Sequence, residues 1–241
     1  PDPLRYQGPN IYMELWKIKN ALRTILQLNL FRTIEMAADF KADSFSNITG
    51  IMMFFLARYE YQILDIRKVS IDLDGNIRRG DSKQGVKGTD GVEFTFRKRS
   101  GTPVQTARFF SVDLSDGSLT RLKGVSAFLS KRKGFTTFIK SASYLLSYDN
   151  FRILRSYLLA GSRYIIQEDS GIPYKYFDTG DWSLSFYGTY RVIAIFASRF
   201  QRDLDAAVKL NNRGPLPFDF GYGFEPDKSN IMIAVRKPKK G

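Results

Sequence analysis

The chain contains no histidine and no cysteine. Without cysteine it can form neither a disulfide nor a thiolate nucleophile, and without histidine it lacks the usual general base and the commonest metal ligand. These absences exclude serine-histidine and cysteine-histidine hydrolases, zincins and histidine-ligated haem proteins. Any catalysis must therefore come from carboxylates, lysines, tyrosines, hydroxyls or a borrowed cofactor. We predict no metal site, and the sequence indicates no particular cofactor.

Long apolar runs are absent as well. The longest run covers residues 50–57, and Arg58 ends it far short of the roughly 18 to 20 residues that cross a bilayer. The sequence therefore predicts no transmembrane span in this chain.

What the chain does contain is an ordinary globular composition, with 43% apolar and 25% charged residues among 241. This length supports a substantial core and predicts a single mixed α/β domain over residues 1–241. The 37 basic residues exceed the 24 acidic ones by 13, which favours contact with an anionic polymer or glycan. A charged surface that only keeps the protein soluble is the open alternative.

The spacing of apolar residues predicts the order of helices and strands. Helical spacing begins after Asn10 and continues near 33–41 and 46–59, so the N-terminal quarter is predicted to be helical. Alternating residues around the Asp74-Gly75 turn and at 92–96 predict strands and hairpins. Further helices are predicted at 125–130, 151–159 and 193–210, and further strands at 163–167, 182–187 and 230–235. This mixture indicates an α/β or α+β fold, with a helical N-terminal quarter before a mixed sheet with flanking helices.

Two segments predict irregular structure. Residues 80–91 are crowded with glycine, lysine and serine and are predicted to be a flexible loop. Residues 237–241 are predicted to be a frayed basic tail.

The segment after the predicted strand 163–167 is the most site-like part of the chain. Glu168 and Asp169 stand at a strand end, where ligand-binding groups often collect. Together with Asp178 and Asp181 they are the candidate catalytic carboxylates, for glycosidic or phosphoester chemistry. Polar and aromatic side chains in the same stretch predict a sugar-binding surface. These ligand-binding candidates are Ser170, Tyr174, Trp182, Tyr187 and Tyr190. A polar turn beside an ordinary core explains the same residues equally simply.

Three other patterns carry weaker functional signals. Two basic clusters flank glycine turns and can reach a phosphate or sulfate. They are Arg97, Lys98 and Arg99, and Lys131, Arg132 and Lys133. Lys140 precedes Ser141, and a desolvated lysine can activate a serine, although a surface segment is the favoured interpretation. Residues 72–76 share oxygen ligands with a calcium loop but fit a hairpin turn better.

Several segments resemble a family of uncharacterised bacterial proteins. They read LRTILQLN at 22–29, FRT at 31–33, GIMMFFLA at 50–57, FFSVDL at 109–114, KSASYL at 140–145, DSGIPY at 169–174 and FYGTY at 186–190. The resemblance implies an exported, periplasmic protein of which this chain is the C-terminal two-thirds, in agreement with its abrupt start at Pro1. It also implies that the N-terminal region of the same precursor is a partner. It implies no activity and no catalytic residue.

Three functional hypotheses follow from these observations. The first is a non-catalytic binding or envelope-associated module for an anionic or carbohydrate ligand. The second is a carboxylate-dependent hydrolase or transferase, with or without a metal ion. The third is an interaction domain that needs its upstream region. Whether the chain is an enzyme stays open at this point.

Overall fold

The computed structural model describes residues 12, 13, 16, 18–20, 22, 23, 48–80, 89–141, 143–218, 220 and 225–238. Within them, helices α1 to α5 span Ile48–Arg58, Asp116–Arg121, Lys123–Ser130, Arg152–Gly161 and Arg202–Asn211. Strands β1 to β8 span Tyr61–Ile71, Ile77–Arg79, Asp90–Lys98, Gln105–Phe110, Phe135–Ile139, Ser162–Gln167, Trp182–Gly188 and Asn230–Arg236. Helices accompany one antiparallel and one mixed sheet, which confirms the predicted α+β class.

The chain divides into two compact units. The first comprises Pro1–Leu26, Phe31–Asp113 and Leu122–Phe128, and the second comprises Gln27–Leu30, Leu114–Arg121 and Leu129–Gly241. The predicted boundaries of one domain over 1–241 stay a prediction, and each unit is described by itself.

The first unit contains an antiparallel sheet of order β2-β1-β3-β4. The described residues between 12 and 23 are helical, and Ile18 and Leu22, one helical turn apart, are buried against Ile51 of α1. The predicted helix at 33–41 lies outside the described residues. Apolar spacing thus indicates the helical packing correctly wherever the N-terminal quarter is described.

The predicted hairpin at 72–76 is confirmed. Gly75 has a φ of +77° and its N–H donates to the carbonyl of Asp72 at 3.0 Å. The carboxylate of Asp72 accepts the backbone N–H of Asn76 at 2.7 Å and Nε of Arg78 at 2.8 Å. These bonds, the Asn76 bond first, hold the pKa of Asp72 below its ordinary value. The oxygens that suggested a calcium loop therefore close the turn.

The second unit contains a mixed sheet of order β5-β6-β8-β7. Strands β5 and β6 are parallel, with α4 in the connection between them, and β8 runs antiparallel to both β6 and β7. Ile165 and Ala234 are fully buried at the centre of this sheet. Because parallel strands end at the same edge, the residues after β5 and β6 are brought together.

The predicted helix at 193–210 is wrong as a single element. A 3-10 helix at Ala194–Arg199 precedes α5, and Gln201 between them is extended, with φ −102° and ψ 104°. The N–H of Gln201 donates to the hydroxyl oxygen of Tyr190 at 2.7 Å, instead of to a carbonyl one turn earlier. A tertiary hydrogen bond therefore interrupts a segment whose apolar spacing is helical throughout.

The two predicted irregular segments differ from expectation at residues 89–91 and at Lys237. Thr89 is fully buried, its hydroxyl donates to the carbonyl of Ile71 at 3.1 Å, and the next two residues belong to β3. Lys237 is anchored by its backbone N–H to Asp181 and by Nζ to Thr179. Residues 81–88 and 239–241 lie outside the described part of the chain.

Candidate functional site

The candidate carboxylates of β6 lie at the edge of the second sheet where the parallel strands end. Lys140 directly follows β5, Glu168 and Asp169 directly follow β6, and Asn230 begins the neighbouring β8. Asn230 pairs in register with Gly188, the last residue of β7. Strand ends of this kind are where α/β proteins commonly bind ligands, so the accessibility of these side chains decides their role.

Asp169 is buried and fully engaged with neighbouring side chains. Its carboxylate accepts the hydroxyl of Tyr144 at 2.5 Å and Nδ2 of Asn230 at 2.8 Å, while its backbone N–H donates to Oδ1 of Asn230 at 2.9 Å. Burial raises the pKa of Asp169, and the Tyr144 and Asn230 bonds oppose that rise. The carboxylate therefore ties β6 to β8 and to the 3-10 segment that follows Tyr144.

Glu168 sits in a second, adjacent set of contacts. It is 2% exposed, and its Oε1 accepts the hydroxyl of Ser170 at 2.6 Å. Ser170 in turn accepts the N–H of Ser141 at 2.9 Å. Burial raises the pKa of Glu168 to about 7, against the lowering effects of Ser170 and of Lys140.

Lys140 is half-buried beside these carboxylates. Its Nζ donates to the carbonyl of Phe220 and lies 4.7 Å from the centroid of the Phe220 ring. Burial lowers the pKa of Lys140, and the charge of Glu168 works against that decrease. The hydroxyl oxygen of Ser141 accepts a hydrogen bond from the N–H of Leu145 at 3.0 Å. The lysine and the serine therefore bind different partners.

The raised pKa of Glu168 predicts a pH-dependent loss of stability. The folded carboxyl keeps its proton up to about pH 7, whereas the unfolded one loses it near 4.5, so unfolding becomes easier as pH rises through this window. The loss approaches about 3 kcal/mol above pH 8. Glu168→Gln preserves the Ser170 bond and removes the titration, so urea unfolding at pH 5 and pH 8 should show a much smaller pH dependence for this variant. Asp149→Asn, at an exposed carboxylate, is the control. An unchanged pH dependence in Glu168→Gln would contradict the assignment.

The space beside these carboxylates is too small for a substrate. A cavity of about 10 Å³ is lined by Glu168, Asp169, Tyr174, Tyr187 and other residues of the sheet edge. That volume is close to the minimum for one water molecule, whereas small-molecule sites occupy several hundred Å³. The described geometry therefore leaves no room for a sugar or phosphoester at Asp169.

The other two candidate carboxylates lie at the opposite end of the sheet. Asp178 and Asp181 are exposed in the turn before β7, whose first residue Trp182 pairs with Arg236 at the far end of β8. Arg236 is six residues along β8 from Asn230, which corresponds to about 20 Å of extended strand. The hypothesis that Asp169 pairs with Asp178 or Asp181 is therefore wrong, because the strand register directs the two groups to opposite edges.

The aromatic candidates are buried or half-buried in the second unit. Trp182 is 3% exposed and lies 4.3 Å beneath the guanidinium of Arg236. Tyr190 is 7% exposed and stacks on Phe200, and burial raises its pKa. Tyr174 and Tyr187 are half-buried. Trp182 and Tyr190 are therefore core residues, whereas Tyr174 and Tyr187 are only partly covered.

Sequence reasoning missed two polar residues of this network. Besides Asn230, Gln201 donates Nε2 to the carbonyl of Asp169 at 3.0 Å and accepts the N–H of Tyr174 at 2.7 Å. Both lie more than 30 residues from Asp169 in sequence, so spacing carries no signal for them. Only the folded arrangement identifies the network.

The predicted basic clusters are exposed in both units. Arg97 and Lys98 end β3 and Arg99 follows in the turn, all in the first unit. Lys131, Arg132 and Lys133 occupy the turn before β5, in the second unit. Anion binding by either cluster stays a prediction.

One face of the first sheet carries further arginines that sequence reasoning missed. Glu93 of β3 is directly opposite Arg67 of β1 and Arg108 of β4. Arg79 of β2 is opposite Val69, which is two residues from Arg67 in β1. Arg97 is four residues from Glu93 in β3. Because side chains alternate along a strand, Arg79 and Arg97 lie on the same face as Arg67 and Glu93. We call this set the arginine face: Arg67, Arg79, Arg97 and Arg108, together with Glu93. The opposite face carries buried Phe94 and Phe96.

A buried carboxylate organises the arginine face. Glu93 is 2% exposed and forms ion pairs with Nε of Arg79 at 2.8 Å and Nε of Arg108 at 2.5 Å. The two arginine side chains are 57% and 35% exposed. Arg67 pairs with Asp65 on the same face. Glu93 thus holds two guanidinium groups at an exposed surface.

A second depression, of about 650 Å³, opens between α2 and α4 in the second unit. Its acidic group, Asp116, accepts the N–H of Ile153 at 2.9 Å and pairs with Arg152 at 3.6 Å. Asp116 therefore stabilises the start of α4, where an acceptor for a free N–H is needed.

The remaining predictions concern metals, membranes and relatives. Among the described residues, no group of three or more acidic side chains could hold a metal ion, and no helix has the length and apolarity needed to span a membrane. No protein-family model, curated protein or solved structure matches this chain.

Proposed function

We propose that this chain is a non-catalytic binding module for an anionic polymer. The observation that carries the proposal is the exposed arginine face, where Arg79 and Arg108 contact the buried Glu93 and two further arginines lie on the same side of the sheet. A net charge of +13 adds long-range attraction for a polyanion. We also propose that the chain belongs to an exported, periplasmic bacterial protein, and this part of the proposal is supported by the sequence resemblance alone.

The proposed hydrolase or transferase activity receives less support. Glu168 and Asp169 are buried and hydrogen-bonded to Ser170, Tyr144 and Asn230, beside a cavity of about 10 Å³. Groups satisfied in this way act as structural links between strands. The interaction domain that depends on an upstream region stays a prediction.

Binding measurements at different salt concentrations test the proposal. The chain should bind at least one of heparin, polygalacturonate, a single-stranded oligonucleotide or phosphatidylglycerol vesicles at about 20 mM salt, where charges act over tens of ångströms. Affinity should fall steeply and log-linearly as salt rises, because contacts with a polyanion release counterions. An absence of binding to all four probes at low salt, with the protein folded by circular dichroism, would reject the proposal.

A further inference from the structure

We infer that the anionic polymer is an acidic polysaccharide, and that Glu93 positions the arginines that bind its carboxylate or sulfate groups. This inference rests on the proposed function and specifies its surface and its ligand class. Three features of the arginine face support it: the arrangement of its guanidinium groups, the polar residues between them, and the place of its aromatic ring.

Two guanidinium groups of the arginine face are held by Glu93 and are not independent flexible charges. Arg67 and Arg108 belong to strands on either side of β3, so their backbones are about 10 Å apart. Glu93 lies between them and contacts Arg79 and Arg108 through Nε, which is one of five N–H donors in each guanidinium. Arginines fixed in this way lose less side-chain entropy on binding a carboxylate or sulfate.

The residues between the arginines are suited to sugar hydroxyls. Thr95 and Thr106 are opposite each other on this face, and Gln62 is opposite Arg97, whose Nε lies 3.4 Å from the Gln62 Oε1. Gln62 and Thr106 are exposed and Thr95 is half-buried. Hydroxyl and amide groups can both donate to and accept from the hydroxyls of a sugar. A polysaccharide with acidic substituents would use these groups together with the arginines.

The aromatic ring on this face is already packed. Phe110 lies opposite Gly91, and its ring contacts Phe128 edge to face with centroids 6.0 Å apart. A β-carbon at Gly91 would come within 2.6 Å of that ring, so Phe110 covers the backbone there. Proteins hold single-stranded nucleic acid largely by stacking its bases on exposed aromatic rings. The ring of Phe110 offers no such exposed stacking surface. The ligand class is therefore better matched by acidic sugars than by bases.

Charge-matched variants test the inference. Arg67→Gln with Arg108→Gln should weaken binding to heparin and polygalacturonate at least tenfold at low salt. Arg163→Gln with Lys175→Gln removes the same charge from exposed positions of the second unit and should change binding less than threefold. Equal losses in both double variants would mean that only total charge matters and would overturn the inference.

Glu93→Gln separates positioning from simple attraction. This variant makes the protein more positive by one unit, so an interaction governed by net charge would become stronger. If Glu93 positions the arginines, affinity for the polysaccharides should instead fall several-fold. Stronger binding in Glu93→Gln would overturn the positioning role. If this variant fails to fold by circular dichroism, Arg108→Lys decides, because it keeps the charge and loses the Nε contact, and unchanged affinity there would overturn the same role.

The remaining probes identify the polymer class. Preferential binding of the wild-type chain to the polysaccharides supports the inference. Tighter binding to the oligonucleotide or to the phosphatidylglycerol vesicles would reject the polysaccharide while leaving the broader proposal of a polyanion-binding module in place. If the wild-type chain binds none of the probes, the proposed function itself fails.

Discussion

Replacing Asp169 with alanine should lower the free energy of unfolding by about 3 to 5 kcal/mol. The substitution leaves the hydroxyl of Tyr144 and the side-chain amide of Asn230 without their buried acceptor, and it opens a small cavity between β6 and β8. Urea unfolding followed by tryptophan fluorescence at pH 7 measures the loss. The same variant should keep its affinity for polyanions wherever it remains folded, because the arginine face belongs to the other unit.

Tyr144→Phe is the matched control for this experiment. It removes one hydroxyl from the network and keeps the ring and its contact with Phe196, so the expected loss is about 1 to 3 kcal/mol. A fully stable Asp169→Ala variant that loses binding would show that Asp169 is a ligand-binding group. That result would contradict the structural role assigned to it here.

Replacing Gly188 with alanine should destabilise the second unit by about 3 to 5 kcal/mol. Gly188 ends β7 with a φ of +82°, and an added β-carbon would lie 2.2 Å from the carbonyl oxygen of Ser229. The substitution therefore combines backbone strain with a clash against a neighbouring backbone segment, just before Asn230 joins the Asp169 network. Thermal and urea unfolding of the purified variant measure the loss.

Gly134→Ala isolates the contribution of strain alone. Gly134 has a similar φ of +75°, and a β-carbon there would meet no atom within 4 Å. We expect this control to lose only about 1 to 2 kcal/mol. Equal losses at the two glycines would show that the close approach at Gly188 is unimportant, contrary to the geometry.

The elements predicted best from sequence are those whose hydrogen bonds and burial are local. The turn at 72–76 closes with bonds inside the turn, and the end of β6 at Gln167 follows directly from its apolar run. The break at Gln201 was not predictable, because its cause is the hydroxyl of Tyr190, which only folding brings within 2.7 Å. Local sequence patterns therefore predicted the helices and strands, but they missed the break at Gln201, which a tertiary contact causes.

In the candidate site, too, the sequence predicted the local features and missed the tertiary contacts. Glu168 and Asp169 could be identified as strand-end carboxylates, but their burial and their partner Asn230, 61 residues from Asp169, could not. Asp178 looked equally promising by its nearness in sequence, yet strand register carries it to the opposite edge of the sheet. The sequence identified which carboxylates could form a site, but it did not show which of them lie close together in the fold.

By itself the sequence determined the mixed α/β class, the basic charge and the exclusion of histidine and cysteine chemistry, because these depend only on which residues are present and on their local spacing. The tertiary structure alone decided that the acidic stretch is a buried link and that Arg67, Arg79 and Arg108 share one face with Glu93. Strand pairing places Glu93 opposite Arg108 and Arg67, which are 15 and 26 positions away in sequence, and no local spacing reports which residues will lie opposite each other.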